Sequence, residues 1–153
     1  MAFLSNSSPE RATAFAAEFG REPPQLDPSS SKKGDPMSLL KTINPKPLDT
    51  PRESKAAPDR LVSGDPSFKT WAQDTARDGM INTGVWEATP GETRSIKGET
   101  FEFCHVLDGM VELTEDGGET VTYRAGDSFV MKPGFTGTWR TVETVRKIYV
   151  TVT

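Results

Sequence analysis

After residue 80 the chain settles into short apolar–polar alternations, separated at close intervals by turn-forming residues. Alternation with a period of two is typical of half-buried strands, and Gly, Pro and Asp supply the backbone conformations of tight turns. We predict strands over residues 81–88, 100–107, 110–115, 119–124, 128–132, 138–142 and 145–152. Several short strands with no helical pattern between them indicate an antiparallel sandwich or barrel.

The first part of the chain differs in composition from the rest. Ten of the twelve prolines lie within residues 1–66, whereas ten of the thirteen glycines follow residue 66. A short helix is predicted over residues 8–20, since Ser8 can cap it and Gly20 can end it. The composition of the proline- and serine-rich stretch that follows predicts a linker, because such a stretch cannot bury enough apolar surface to offset its chain entropy.

We therefore divide the chain into residues 1–58, a largely disordered extension and linker, and residues 59–153, the folded domain. Met37 is also a plausible translation start. Within the folded part, Phe68, Trp71 and Ala72 have helical spacing, which predicts a short helical turn between Asp65 and Gly79 with Trp71 as a plug over the barrel.

Charge and cysteine content exclude several classes of protein. Residues 61–153 carry nine basic and fourteen acidic side chains, a net charge of −5, so we expect no nucleic-acid partner. The one cysteine, Cys104, cannot form an intramolecular disulfide and fits a reducing compartment. No apolar run approaches the length of a membrane span, and the N-terminus lacks the pattern of a secretion signal. We expect a cytoplasmic protein without a membrane partner.

Three groups of residues carry a resemblance to a known family. They are Glu102-Phe-Cys-His-Val-Leu-Asp-Gly109, Ala125-Gly-Asp127 and Pro133-Gly-Phe-x-Gly-x-Trp139. With their order and spacing, the chain resembles a small single-domain bacterial cupin related to the ureidoglycine aminohydrolase-type cupin domain. The resemblance implies an all-β, jelly-roll-like antiparallel barrel, here with an irregular, partly helical N-terminal extension.

The same resemblance bears on metal binding. Metal-dependent cupins keep a His-x-His pair shortly before the first-motif glutamate, and a further histidine in the second motif. Counting back from Glu102 gives Ile96 and Gly98, or Ser95 and Lys97, and the later histidine would fall near Gly137. None of these is a histidine, so we expect no tightly held metal and no cofactor.

Strand parity then sorts the candidate site residues. If Glu102 points inward, as the resemblance implies, Cys104 shares its face, whereas Phe101, Phe103, His105 and Leu107 point outward. A buried carboxylate needs a partner, and Lys147 in the last strand is the natural candidate. If that strand is inverted, Arg146 and Ile148 point inward instead.

From these positions we assign candidate roles. Glu102 and Lys147 are the candidate catalytic pair, although a purely structural ion pair is an equal alternative. The candidate ligand-binding residues are Cys104, Trp86, Trp139 and Tyr149. No histidine shares the face of Cys104, which favours a small buried side chain over a nucleophile. We expect Glu102, Cys104, Trp139, Lys147 and Tyr149 to converge on one cavity at the barrel mouth.

Two functions from different classes follow. In the first, the protein binds a small polar metabolite in the barrel without a tightly held metal. In the second, it is an aminohydrolase- or isomerase-type enzyme that uses Glu102 and Lys147 to move protons. An interaction protein is a third, weaker alternative. The outward Phe101 and Phe103 need cover, either from the segment before residue 80 or from a second subunit. Together with the resemblance, this favours a homodimer.

Overall fold

The computed structural model describes residues 38–153, which form an all-β domain without a helix. The predicted helix over residues 8–20 lies outside the described part of the chain. The nine strands are β1 (Arg52–Lys55), β2 (Leu61–Gly64), β3 (Ser67–Ala76), β4 (Ile81–Ala88), β5 (Gly91–Ile96), β6 (Phe101–Glu115), β7 (Thr120–Arg124), β8 (Ser128–Met131) and β9 (Thr136–Val152).

All strands pair antiparallel in one curled sheet organised around β9. Strand β6 runs along one edge of β9 for most of its length, while β4 and β5 share the other edge. Beyond them the order continues through β3 to β1 and from β5 to β2. Strands β7 and β8 add to β6. The inner face holds the core, in which Ala88, Val106, Val111 and Val145 are fully buried.

Two pairs of predicted strands are each continuous in the structure. Residues 138–142 and 145–152 join as β9. Residues 100–107 and 110–115 join as β6, because Asp108-Gly109 forms an irregularity within the ladder rather than a chain reversal. Gly109 has φ +82°, and a Cβ placed there would lie 2.1 Å from the Thr144 carbonyl oxygen. Only glycine allows the β6 and β9 backbones to approach so closely at this point.

The predicted helical turn before Gly79 is wrong, because residues 67–76 form β3. Phe68 and Thr70 are buried on one face and Trp71 lies on the other, which is a period of two. Pairing with β4 from Phe68 to Ala76 supplies ladder hydrogen bonds that outweigh the helical spacing of three apolar residues. Gly79, expected to end a helix, belongs to a hairpin turn in which Arg77 and Asp78 also have positive φ.

Three further strands were not predicted. Strands β2 and β5 pair with each other, and β5 also pairs with β9. Strand β1 lies in the stretch interpreted as linker, yet it pairs with β3. Residues 38–51 contain no strand or helix, although the Asn44 backbone accepts and donates hydrogen bonds with the Gln73 side chain.

Candidate functional site

Glu102 lies at the centre of the domain, on the inner face of β6, with 0% of its surface exposed. Pairing of β6 with β9 sets Val106 opposite Lys147, so the Lys147 side chain enters the same interior. Its Nζ donates to Glu102 Oε1 over 2.6 Å. Alternate residues of β9 from Val145 to Thr151 are buried, which means that the last strand has the parity needed for this pairing.

Lys97 holds the second oxygen of the same carboxylate. It follows β5 directly, it is buried, and its Nζ donates to Glu102 Oε2. Its backbone N–H donates to the Phe135 carbonyl, and its own carbonyl accepts from Thr100. The sequence marks Lys97 only as a position without a metal ligand and does not predict it as a partner of Glu102. The available signal was a basic side chain where the resemblance puts an inward-facing residue.

The protonation states of this cluster follow from its surroundings. Burial raises the pKa of Glu102, but the ammonium groups of Lys147 and Lys97 lower it by more than burial raises it, so that the pKa is about 2. Burial lowers the pKa of Lys147, whereas the adjacent carboxylate raises it, and the net direction is upward. At neutral pH the pair therefore consists of a carboxylate and an ammonium group.

Cys104 completes the cluster as a neutral thiol. Its Sγ lies 3.4 Å from Glu102 Oε1 and 3.3 Å from Lys147 Nζ. Burial, with the charge of Glu102, raises the pKa of Cys104 to about 12. A thiol held this far from ionisation is a poor nucleophile, which agrees with its interpretation as a buried side chain.

Two tryptophans flank the ammonium group of Lys147. Its Nζ lies 4.7 Å from the ring centroid of Trp86 and 4.3 Å from that of Trp139. The two rings meet edge to face, with centroids 5.4 Å apart. A cation over two ring faces is stabilised electrostatically by both. Trp86 comes from β4 and Trp139 from β9, so pairing of the strands builds this arrangement.

Both tryptophans line a small cavity of about 40 Å³. Its lining consists of Ala56, Ala57, Arg60, Phe68, Trp86, Thr93, Arg94, Ser95, Trp139 and Lys147. Glu102, Cys104 and Tyr149 do not line it. The predicted convergence of Glu102, Cys104, Trp139, Lys147 and Tyr149 on one cavity is thus corrected. Lys147 lies between the two regions: it lines the cavity and it also contacts Glu102 and Cys104, which do not reach the cavity.

Tyr149 belongs to the core instead of the cavity. It is 2% exposed, and its hydroxyl lies where a side chain at Gly84 would be, 2.9 Å from a Cβ built there. Burial raises the pKa of Tyr149 to about 12, with a further contribution from Glu102. The phenol therefore stays protonated at neutral pH.

The donor set does not suit a metal ion. Within residues 38–153, no group of three or more His, Cys, Asp or Glu side chains is arranged to hold one. Both oxygens of Glu102 already accept from ammonium groups, which occupy the space beside the carboxylate and would repel a cation.

Two further aromatic side chains lie away from the site. Trp71, predicted as a plug over the barrel, lies on the other face of β3, where its Nε1 donates to the Asp49 carbonyl over 2.8 Å. The guanidinium of Arg146 lies 5.2 Å from its ring centroid. His105 lies on the side of β6 opposite Glu102, with its Nδ1 2.8 Å from Ser128 Oγ.

Comparison with known proteins agrees with this architecture. Residues 75–149 match the model of the EutQ-like cupin domain. A protein of unknown function from Pseudomonas syringae pv. tomato is 24% identical over 72% of this chain, with a TM-score of 0.64, and the chain spans 46% of that protein. The EutQ protein of Clostridium difficile is 23% identical over 61% of this chain and 75% of its own, with a TM-score of 0.51.

A third related structure is the ectoine synthase of P. lautus, 19% identical over 61% of this chain and 68% of its own, with a TM-score of 0.52. No curated protein matches the sequence. Among residues 38–153 there is no helix of the length and hydropathy that crossing a membrane requires. The curled antiparallel sheet and the match over residues 75–149 together support a small cupin domain.

Proposed function

We propose that this protein binds a small polar metabolite at the cavity lined by Trp86 and Trp139, without a metal ion. The observation that carries the proposal is the position of Lys147 Nζ, which lies over both rings and is held by Glu102 at 2.6 Å. A fixed charge between aromatic walls offers a ligand both a polar contact and an apolar surface.

Cavity size limits what can bind. Pockets for drug-sized ligands span roughly 300–1,000 Å³, whereas this cavity measures about 40 Å³. The ligand is therefore a compound of few heavy atoms, in a cavity to which the segment between β1 and β2 contributes Ala56, Ala57 and Arg60.

The second candidate function is an aminohydrolase- or isomerase-type enzyme, in line with the resemblance to the ureidoglycine aminohydrolase-type cupin domain. The buried Glu102–Lys147 pair with Cys104 favours it. Proton transfer, however, works best when the pKa of the group lies near the working pH. With the pKa of Glu102 at about 2 and that of Cys104 at about 12, the cluster suits binding better than proton transfer.

Two measurements test the binding proposal. Metal analysis of protein purified without chelator should find only substoichiometric metal, and near-stoichiometric manganese, iron, nickel or zinc would overturn the metal-independent part. A set of small neutral, anionic and cationic compounds should contain members that shift the indole N–H NMR signals of Trp86 and Trp139. Trp71 is the internal control, since it lies outside the cavity. A complete absence of binders would contradict the proposal.

Assembly and location are part of the same proposal. We propose a homodimer that buries the outward side chains of β6, and a cytoplasmic location, which suits the free, buried thiol of Cys104. Neither of them depends on the nature of the ligand.

A further inference from the structure

Resting on the proposed function, we infer that the ligand is a short-chain carboxylate and that Arg60 is the residue that binds its charged group. The chemistry of the cavity wall and the environment of each charge on it point to this class of ligand.

The lining is basic and apolar at once. Arg60, Arg94 and Lys147 contribute to it, and no carboxylate of the described residues does. Phe68 and Trp86 stack with ring centroids 5.3 Å apart, and Trp139 meets Trp86 edge to face. Basic groups beside aromatic walls suit an anion that carries an apolar body.

Of the three basic groups, Arg60 is the least neutralised by its neighbours. Arg94 donates two hydrogen bonds to Asp116, at 2.7 and 2.6 Å. Lys147 is held by Glu102 at 2.6 Å. Arg60 has an ion-pair contact with Asp59 at 3.7 Å, and the side chain of Asp59 is 80% exposed. Such a long, solvent-exposed contact neutralises little charge.

Most of the Arg60 side chain is covered, and the backbone of this residue is held by hydrogen bonds. Its side chain is 19% exposed. Its backbone N–H donates to the Ala57 carbonyl at 2.8 Å, and its carbonyl accepts from the Arg94 backbone at 2.7 Å. A guanidinium group presents two parallel donors that match the two oxygens of a carboxylate, so this residue type at this position favours a carboxylate over a neutral ligand.

The cavity volume of about 40 Å³ limits the length of the ligand and the dissociation constants that the experiment must cover. It favours a compound of about two to four carbons, for which the limit on binding free energy per heavy atom allows dissociation constants from about micromolar to millimolar. An inorganic oxyanion would satisfy Arg60 but leave the aromatic walls without a contact.

The test compares propionate with propionamide, propylammonium and inorganic phosphate at constant ionic strength. The readout is the indole N–H NMR signal of each tryptophan. Propionate should shift the signals of Trp86 and Trp139 saturably and leave Trp71 unchanged. Propionamide, propylammonium and phosphate should each bind at least about tenfold more weakly, because each lacks either the charge or the apolar body.

Two matched variants assign the charge. Arg60→Gln should weaken propionate binding by about tenfold or more, since it removes a charge-assisted pair. Arg140→Gln should leave it unchanged, because that arginine pairs with Glu112 outside the cavity. The remaining backbone signals show in the same spectra that both variants are folded.

Any of four outcomes would overturn the inference. Propionamide could bind as tightly as propionate, phosphate could bind more tightly than propionate, or none of the four probes could bind. The fourth outcome is that Arg60→Gln binds propionate as tightly as the parent does. In those cases the proposed function stands if other small compounds in the wider set shift Trp86 and Trp139. It falls only when that whole set fails.

Discussion

Lys147 Nζ lies 2.6 Å from Glu102 Oε1, although 45 residues separate the two in the chain. The contact joins the two longest strands, β6 and β9, inside the curled sheet. Lys97 takes the other carboxylate oxygen. The resemblance implies that metal-dependent cupins direct ligands toward a cation at this place. Here the ammonium groups of Lys97 and Lys147 pair with the Glu102 carboxylate instead.

Removing one ammonium group should destabilise the domain in a pH-dependent way. The pKa of Glu102 is about 2 in the folded protein, against an ordinary 4.5. Stability from its ionised form is thus present above pH 4.5 and lost as the pH falls from 4.5 toward 2. We expect Lys147→Met to lower the free energy of unfolding by about 3 kcal/mol at neutral pH.

In the Lys147→Met variant, burial without the second cation raises the pKa of Glu102, so the loss should shrink as the pH falls and the carboxylate takes up a proton. Urea unfolding between pH 7 and 3 measures this. Lys69→Met is the control, since its Nζ is 3.9 Å from Glu87 at the surface and its loss should cost little. Equal stability of Lys147→Met and the parent throughout would show that the pair is not formed.

Cys104 should be nearly inert in the folded protein. Its pKa of about 12, against an ordinary 9.0, reduces the thiolate fraction at pH 8 by about a thousandfold, and its side chain is buried. We expect alkylation by iodoacetamide to be at least about a hundredfold slower in native protein than in urea. Mass spectrometry follows the reaction, and comparable native and unfolded rates would refute the buried cluster.

The outer face of β6 should form a homodimer interface. Phe103 points away from the core, and its register neighbours Val130 and Val150 present apolar side chains, with Val130 44% exposed. Residues 67–76, which could have covered Phe101 and Phe103, form β3 of the same sheet instead. An apolar face of this kind is unfavourable in water.

Light scattering at micromolar concentration should give twice the 16.7 kDa mass of the chain. Phe103→Lys should shift it to the monomer, whereas Val121→Lys, at an exposed position on β7, should not. A monomeric parent would remove the interface.

Gly109 should tolerate no side chain. Gly109→Ala adds a Cβ that would lie 2.1 Å from the Thr144 carbonyl oxygen, and we expect a loss of at least about 3 kcal/mol. Gly126→Ala is the matched control, since Gly126 also has positive φ, +95°, but no atom lies within 4 Å of its added Cβ. It should cost about 1 kcal/mol of backbone strain alone. Thermal unfolding compares them, and equal losses would mean that the strands are farther apart at Gly109.

The sequence alone determined most of the strands and which side chains share a face within each of them. Alternation within a strand is local, so the shared face of Glu102 and Cys104, and the parity of Lys147 with Tyr149, can be derived from neighbouring residues. The glycine turns after residue 80 carry the same kind of local information, although at Gly109 the motif proved to be an irregularity within one long strand.

Only the tertiary structure decided what these side chains meet. Lys97 lies outside any strand, so no periodicity assigns its direction, and it reaches Glu102 because its turn docks against Phe135. Residues 67–76 are a strand because β4 offers them a partner, against their helical spacing. The cavity needs the segment between β1 and β2 together with β3, β4, β5 and β9. Contacts between distant segments depend on how the sheet pairs and curls, and that information is in no single stretch of the chain.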